Sequence, residues 1–449
     1  NKDLYYKEIK IINKLKNNYG KPNANNNNLE KIQLEFISAN PTGPLTMANG
    51  RGGFLGTAIG NVLEFIGHKV EREYYVNDTG NQILILGKSI LAELGEFKIE
   101  DNFYKGDYIK KWADKNKTRI LKNNNNPMRV GELAAQDYFK NIKKVIERDS
   151  DIKFDRYTSE KKDIHQLKFV DRALDILDKS GFVYELDGAL WLKTTHFNDD
   201  KDRVLMTRDK YPTYFLADVG HYLETKERGF QKKITLLGAD HHGYIARISS
   251  ASKILGFNNV NFIVFQDVRL ISKGSEIKMS KRAGTFVTLD ELLKKVGNNV
   301  AKFLFLMITT GSRIDFDLAL AKEKSLKNPV YYAEYAFVRI LSVLKKATKI
   351  KSKNNPNLIL LTTIEEHLLM KELAKFSDII IDVGYDYDVT KLTRYILSLS
   401  RTFHNFYEKC RVIGVDHDLS LARLELIKAT KIIFITSFSL LGIDTPKKM

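Results

Sequence analysis

Apolar residues along this chain follow two rhythms, a short one early and a long one late. "EKIQLEFISA" (30–39) is a compact apolar run stopped by Pro41, the pattern of a strand buried on both faces. After a break, "RGGFLGTAIGNVLEFIG" (51–67) repeats its apolar positions at helical spacing and ends on a C-cap signal at Gly67. "KVEREYYVN" then returns to strand character. Strand, Gly-rich turn, helix and strand open a βαβ unit, which predicts a parallel sheet. The region 83–150 is charged, helical and interrupted by "KNNNNP" (122–127), so it reads as an insertion. "ALWLKTT" (189–195), "KITLLGA" (233–239) and a bent "VNFIVFQDVRLI" (260–271) resume the strands. From about 286 onward strands vanish, and "LDELLKKV", "VYYAEYAFVRILSVLKKATKI" and the segments after them carry helical periodicity. There is no internal repeat. The expected fold is an α/β, nucleotide-type parallel-sheet domain with a helical insertion, followed by an all-helical domain.

Composition narrows the function. A chain of 449 residues can bury a sizeable core and form two or three domains. Its 72 Lys and Arg against 55 Asp and Glu leave +17. This favours a polyanionic partner, nucleic acid foremost, although lysine also simply solvates surfaces. A single cysteine, Cys410, excludes an internal disulfide framework and a Cys-cluster zinc site. No apolar run has the length of a membrane span, and residues 1–28 lack the apolar segment of a signal peptide, so a cytoplasmic setting is expected.

Two stretches carry the candidate chemistry. "NPTGPLTMANGRGG" (40–53) occupies the first strand-to-helix corner, where a doubly wound sheet presents helix N–H groups to an anion. Pro41 and Pro44 stiffen it, and Gly50, Gly52 and Gly53 would let a ligand approach the backbone, unless they serve tight helix–strand packing alone. With a helix starting near Leu45, Thr46 and Asn49 stand one turn apart, both with side-chain donors. The glycines match neither G-x-G-x-x-G nor the P-loop pattern. "EIKMSKRAGTFVTLDEL" (276–292) gathers Lys278, Lys281 and Arg282 in a short polar loop, able to neutralise charge developing on a phosphate chain or merely to solvate the surface.

"TMANG" and "KMSKR" resemble the HIGH and KMSKS signatures of class I aminoacyl-tRNA synthetases. "EFISANPTGPLTMANGRGG", "EREYYVNDTGNQI", "DGALWLKTTHFNDDKDRVL", "YPTYFLADVGHYLE", "LLGADHHGYIARI", "KMSKRAGTFVTLDEL", "NPVYYAEYAFVRI" and "LLGIDTPKKM" follow in order, and together they are similar to the arginyl-tRNA synthetases from about residue 15 to 449. That resemblance implies a Rossmann-like catalytic domain at 29–328, its helical insertion at about 83–150, and a helical-bundle anticodon-binding domain at 329–449. The family carries a further N-terminal domain, so the chain reads as a fragment, with 1–28 a linker helix left from that domain and the C-terminus intact.

The resemblance also implies the chemistry. Arginine would attack the α-phosphate of Mg-ATP to give arginyl-adenylate, and the terminal adenosine of tRNA(Arg) would then take the aminoacyl group. Thr46, Asn49 and Lys281 would be the catalytic donors, with Lys281 on the leaving pyrophosphate. Gly50, Lys278, Met279 and Asp240 would bind ATP, Met279 through its backbone and Asp240 at the ribose. Glu160 and Asp218 would fork the guanidinium, Tyr214 would stack on it, Asn40 would orient the α-amino group, and His241 would touch arginine or ribose. Tyr331 and Tyr335 would stack on tRNA bases, although aromatics at helical spacing also build cores. Arginine activation would require bound tRNA. A monomer with no structural metal is expected. The family signature has two histidines and a glycine where this chain has Thr46, Asn49 and Ala48. That departure keeps a second reading open, a weak or silent tRNA-binding paralogue. A class I synthetase for another amino acid is disfavoured by the acidic pocket.

Overall fold

The computed structural model describes residues 2–22, 29–272, 275–277, 287–350 and 356–447. Five parallel strands form the central sheet in the spatial order 156–159, 69–76, 31–35, 232–238 and 260–265. The chain runs outward in one direction through the first three strands, then crosses to the other side of Lys31–Glu35 for the last two. The order therefore reverses between Lys31–Glu35 and Lys232–Gly238, and the ligand crevice of such a sheet opens at their carboxyl ends. Ile32, Leu34 and Ile234 are fully buried there, as a strand covered on both faces requires.

The helix Met47–Phe65 crosses the sheet behind this crevice. Its glycines are packing residues. A Cβ at Gly50 would lie 2.5 Å from Leu289, one at Gly52 would lie 2.9 Å from Phe265, and one at Gly56 would collide with Phe36. At Gly50, Gly52 and Gly53 the side that a Cβ would take is filled by neighbouring side chains, so all three serve close packing.

The helical insertion has its own small core of Ile83, Leu86, Ile90, Ile109, Ile120, Val130 and Ala134. Helices Asn81–Glu93 and Pro127–Lys144 cross so closely that a Cβ on Gly87 or Gly131 would enter the partner's backbone. Three antiparallel strands, 183–186, 189–192 and 203–206, form a separate sheet.

Two expectations need correction. The segment 260–271 is two strands in two sheets: Val260–Phe265 ends the central sheet, and Val268–Ser272 pairs with Ser275–Ile277 and Ile314–Asp317. Ile314–Asp317 is also a strand beyond 286, where none was expected. Its "IDFD" alternation buries Ile314 and Phe316, but at four residues the signal is short.

Asn328 caps the helix Pro329–Lys346, accepting from Val330 N–H at 3.0 Å, and a bundle of helices follows to Leu440. The first helix, Lys2–Leu15, packs on the bundle helices Ile364–Ala374 and His417–Leu440. It buries Ile9 and Ile12, the Tyr6 hydroxyl donates to the Leu361 carbonyl at 3.2 Å, and Asn13 donates to Glu425 at 2.9 Å. A helix of 14 residues is marginal alone, so this packing is what holds it.

Candidate active site

The corner after Lys31–Glu35 starts with backbone that non-glycine residues rarely adopt: Ile37 and Ser38 have φ of 66° and 38°. Local bonds hold it. Ser38 donates to Glu35 at 3.1 Å and accepts from Tyr75 N–H at 3.1 Å, while the Tyr74 hydroxyl donates to Ala39 O at 2.7 Å. This bend carries Asn40 to the exposed carboxyl edge.

Thr46 and Asn49 do not stand as two free donors. The helix begins at Met47 and Thr46 is its N-cap. The Thr46 N–H and hydroxyl both donate to Asn49 Oδ1 at 2.9 Å, and Asn49 N–H donates back to Thr46 at 3.5 Å. This is a capping box, with the shorter asparagine where glutamate or glutamine is usual. Because an N–H can only donate, the bond to Thr46 fixes which atom of the Asn49 amide is oxygen and leaves Nδ2 as the remaining side-chain donor.

Thr46 also pairs with Thr288 in an isolated antiparallel bridge, and Leu289 N–H donates to Leu45 O at 2.9 Å. Thr288 caps the helix Leu289–Val296 with a capping box of its own. Two helix N-termini, each a source of partial positive charge, therefore meet at one point. The basic stretch holding Lys278, Met279 and Lys281 lies outside the described residues, but its carboxyl flank enters the fold at Thr288, beside Thr46.

Asp240 and His241 occupy the turn after Lys232–Gly238, across the crevice from the corner. Both are exposed, and they face each other at 3.5 Å.

The acidic residues converge from two other elements. Glu160 follows the strand Arg156–Ser159, is 3% exposed and faces His165 at 3.4 Å. Asp218 lies on the helix Tyr214–Glu227, which packs on the turn bearing Glu160. Tyr214 starts that helix one turn earlier, exposed, its hydroxyl accepting from Asn81 N–H at 3.1 Å. Burial, then the neighbouring Glu160 and Glu35, raise the Asp218 pKa well above the carboxylate range, opposed by Tyr244 and Arg247. The pocket therefore holds acid in excess of base, the arrangement that a cation would relieve.

Behind it lies a buried polar network that sequence reasoning missed. Glu73 accepts from His221 at 2.9 Å, Thr158 at 2.7 Å and Arg228 at 2.6 Å. Lys233 donates to Gln33 at 2.7 Å and to Glu35 at 2.8 Å. Burial opposes ionisation of Glu73, but His221, Lys233 and Arg228 outweigh it and hold the acid well below its ordinary pKa. Glu73, His221 and Glu224 are spaced closely enough for a metal, yet Arg228 and Arg156 pair with these carboxylates, so the cluster is a salt network. The available signal was Glu35, Glu73 and Lys233 at inward positions of strands that otherwise read as apolar.

Tyr331 and Tyr335 lie half-buried on the helix Pro329–Lys346. The Tyr335 hydroxyl accepts from Arg339 at 2.7 Å, and its ring stacks on His404 with centroids 5.6 Å apart. Phe337, two residues on, is core, packed on Phe434 and Phe438.

Residues 10–304 match the family model of the class I (R) tRNA synthetase catalytic domain, and residues 333–449 match the DALR anticodon binding domain. Fold, crevice and match define a class I aminoacyl-tRNA synthetase, an aminoacyl-tRNA ligase. The arginine–tRNA ligase of Carboxydothermus hydrogenoformans is 38% identical over 94% of this chain and 78% of its own length. That of Moorella thermoacetica is 38% identical over 93% and 78%. A solved Campylobacter jejuni protein assigned as an arginyl-tRNA synthetase superposes with a TM-score of 0.86 at 30% identity, covering 98% of this chain and 99% of that one. The Thermus thermophilus arginyl-tRNA synthetase shares the fold, with a TM-score of 0.79 at 19% identity over 99% of this chain and 86% of that one. The chain belongs to the arginyl-tRNA synthetase family.

Proposed function

We propose that this chain charges tRNA with arginine in two steps at the carboxyl edge of its sheet. A carboxylate oxygen of arginine attacks the α-phosphorus of ATP, presented as its magnesium complex. The bond to the bridging oxygen breaks and pyrophosphate leaves. The 2′-hydroxyl of the terminal adenosine then attacks the carbonyl carbon, and AMP leaves.

The observation that carries this reading is the convergence of Glu160 and Asp218, with cation-deficient surroundings, beside the crevice at the strand-order reversal. Two carboxylates offer the paired acceptors that a guanidinium fork needs. Tyr214 supplies a ring face, Asn40 an amide for the α-amino group, and Asp240 an acceptor for ribose, with His241 beside it. ATP phosphates are met by Asn49 Nδ2 and by the paired helix N-termini at Thr46 and Thr288, and Gly50, which seats that helix closely, lets ATP approach its backbone. Lys278 and Lys281 complete the phosphate site, and Met279 offers backbone to adenine. Such catalysis is positioning and electrostatics, so each lost donor lowers the rate. Residues 329–449, with Tyr331 and Tyr335, form the tRNA-binding domain, residues 29–328 the catalytic one, and a monomer carries every group named.

The test is to incubate the chain with ATP, arginine and bulk tRNA, with other amino acids as competitors. Arginyl-tRNA is the expected product, undiminished by the competitors. tRNA binding without charging would overturn the proposal in favour of a silent tRNA-binding paralogue.

A further inference from the structure

We propose that Tyr75 is a positioning residue of the guanidinium pocket: its hydroxyl orients the Glu160 carboxylate, and its ring is fixed by the buried Glu73–His221–Glu35 bridge. This rests on the reading of Glu160 and Asp218 given above.

Successive tyrosines at the end of the strand Lys69–Val76 point to opposite faces of the sheet. Tyr74 enters an aromatic cluster with Phe139, Phe154 and Tyr157, and its hydroxyl is satisfied by Ala39 O. Tyr75 goes the other way. It is 7% exposed, and its ring lies flat on the His221 imidazole, centroids 4.4 Å apart and planes 18° from parallel. The imidazole is held at both ends, by Glu73 at 2.9 Å on Nε2 and by Glu35 at 3.8 Å on Nδ1. The ring of Tyr75 thus rests on a plate that cannot turn without breaking the buried hydrogen bond to Glu73.

The hydroxyl of Tyr75 is buried and makes no hydrogen bond of ordinary geometry with the described residues. Phenylalanine would fill the same space without leaving a buried polar group unpaired, so the hydroxyl needs a reason. Tyr75 pairs with Thr158 across the strand ladder, two residues before Glu160, and Glu160 is first among the charges acting on the hydroxyl, ahead of Asp218 and Glu35. A carboxylate has more acceptor positions than a guanidinium fork can occupy. When arginine takes one edge of Glu160, a donor from behind fixes the other. On the other acid of the pocket, Tyr244 acts as a hydrogen-bonding neighbour of Asp218 and favours its ionised form.

The experiment compares the whole chain with its Tyr75→Phe and His221→Phe variants, reading arginine binding by calorimetry and steady-state charging. Tyr75→Phe is expected to weaken arginine by about tenfold, the factor lost with one hydrogen bond to a charged group. KM for ATP and tRNA, kcat and the unfolding midpoint should stay unchanged. His221→Phe keeps a stacking ring but frees it, so it should weaken arginine as well and lower the midpoint. Unchanged arginine affinity in Tyr75→Phe, or equal losses in every kinetic constant, overturns the proposal while leaving the pocket assignment standing. A parent chain that binds no arginine, even with ATP and tRNA present, overturns both.

Discussion

Thr46 and Thr288 face each other across an antiparallel bridge, each capping its own helix and each closing its own capping box. The first helix of the nucleotide fold and the helix that follows the basic stretch are therefore docked cap to cap. Whatever orders one N-terminus is felt at the other.

Asn49 separates capping from donation. Asn49→Asp keeps the acceptor that closes the box and should leave stability within about 0.5 kcal/mol, since an acid is favoured in a first helical turn. It removes Nδ2 and adds negative charge near the phosphates, so kcat should fall roughly a hundredfold. Asn49→Ala loses both functions and should also lower the urea midpoint.

Asp218 links arginine binding to pH. Its folded pKa is raised, by burial first and then by Glu160 and Glu35. A bound guanidinium favours the ionised form, so binding releases a proton, and affinity for arginine rises with pH until Asp218 is ionised in the free chain. Calorimetry in buffers of different ionisation enthalpy should show that release. The same shift has the opposite sign for folding. A group whose folded pKa exceeds its unfolded one supports stability at low pH, and that support is lost as pH rises through the folded value. Asp218→Asn should therefore raise the unfolding midpoint at neutral pH, abolish the proton release and weaken arginine roughly a hundredfold.

Lys233 is fully buried and serves Glu35 and Gln33. Lys233→Met leaves Glu35 facing Glu73 without its principal cation, which should destabilise the chain by about 3–5 kcal/mol in urea unfolding. Adding Glu35→Gln should recover a large part of that loss, because the unpaired charge goes with it.

Tyr335 and Arg339 predict different effects on tRNA. Tyr335→Ala removes a stacking surface and should weaken tRNA about tenfold with little change in salt dependence. Arg339→Ala should lower the slope of log affinity against log salt by about 1. Filter binding across a salt series checks both.

The parallel sheet was legible because strands buried on both faces read as unbroken apolar runs and the Gly-rich corner punctuates them. The acidic pocket was legible only through family resemblance, since Glu160 beside "KKD" looks like any surface acid. Three features were not legible. Ile314–Asp317 is too short to distinguish from a loop. The bend at 266–267 divides one apolar run between two sheets. The network around Glu73 joins residues up to 200 positions apart, a relation that no local pattern encodes.

The bond between Asn13 and Glu425 spans 412 residues. The helix Lys2–Leu15 must therefore wait for a partner made about 400 residues later, roughly 20 to 80 s at ordinary synthesis rates. Through that interval the face of Ile9 and Ile12 lacks the bundle helices that bury it, which makes it a natural handle for a holding chaperone and an early target for proteolysis when translation stalls.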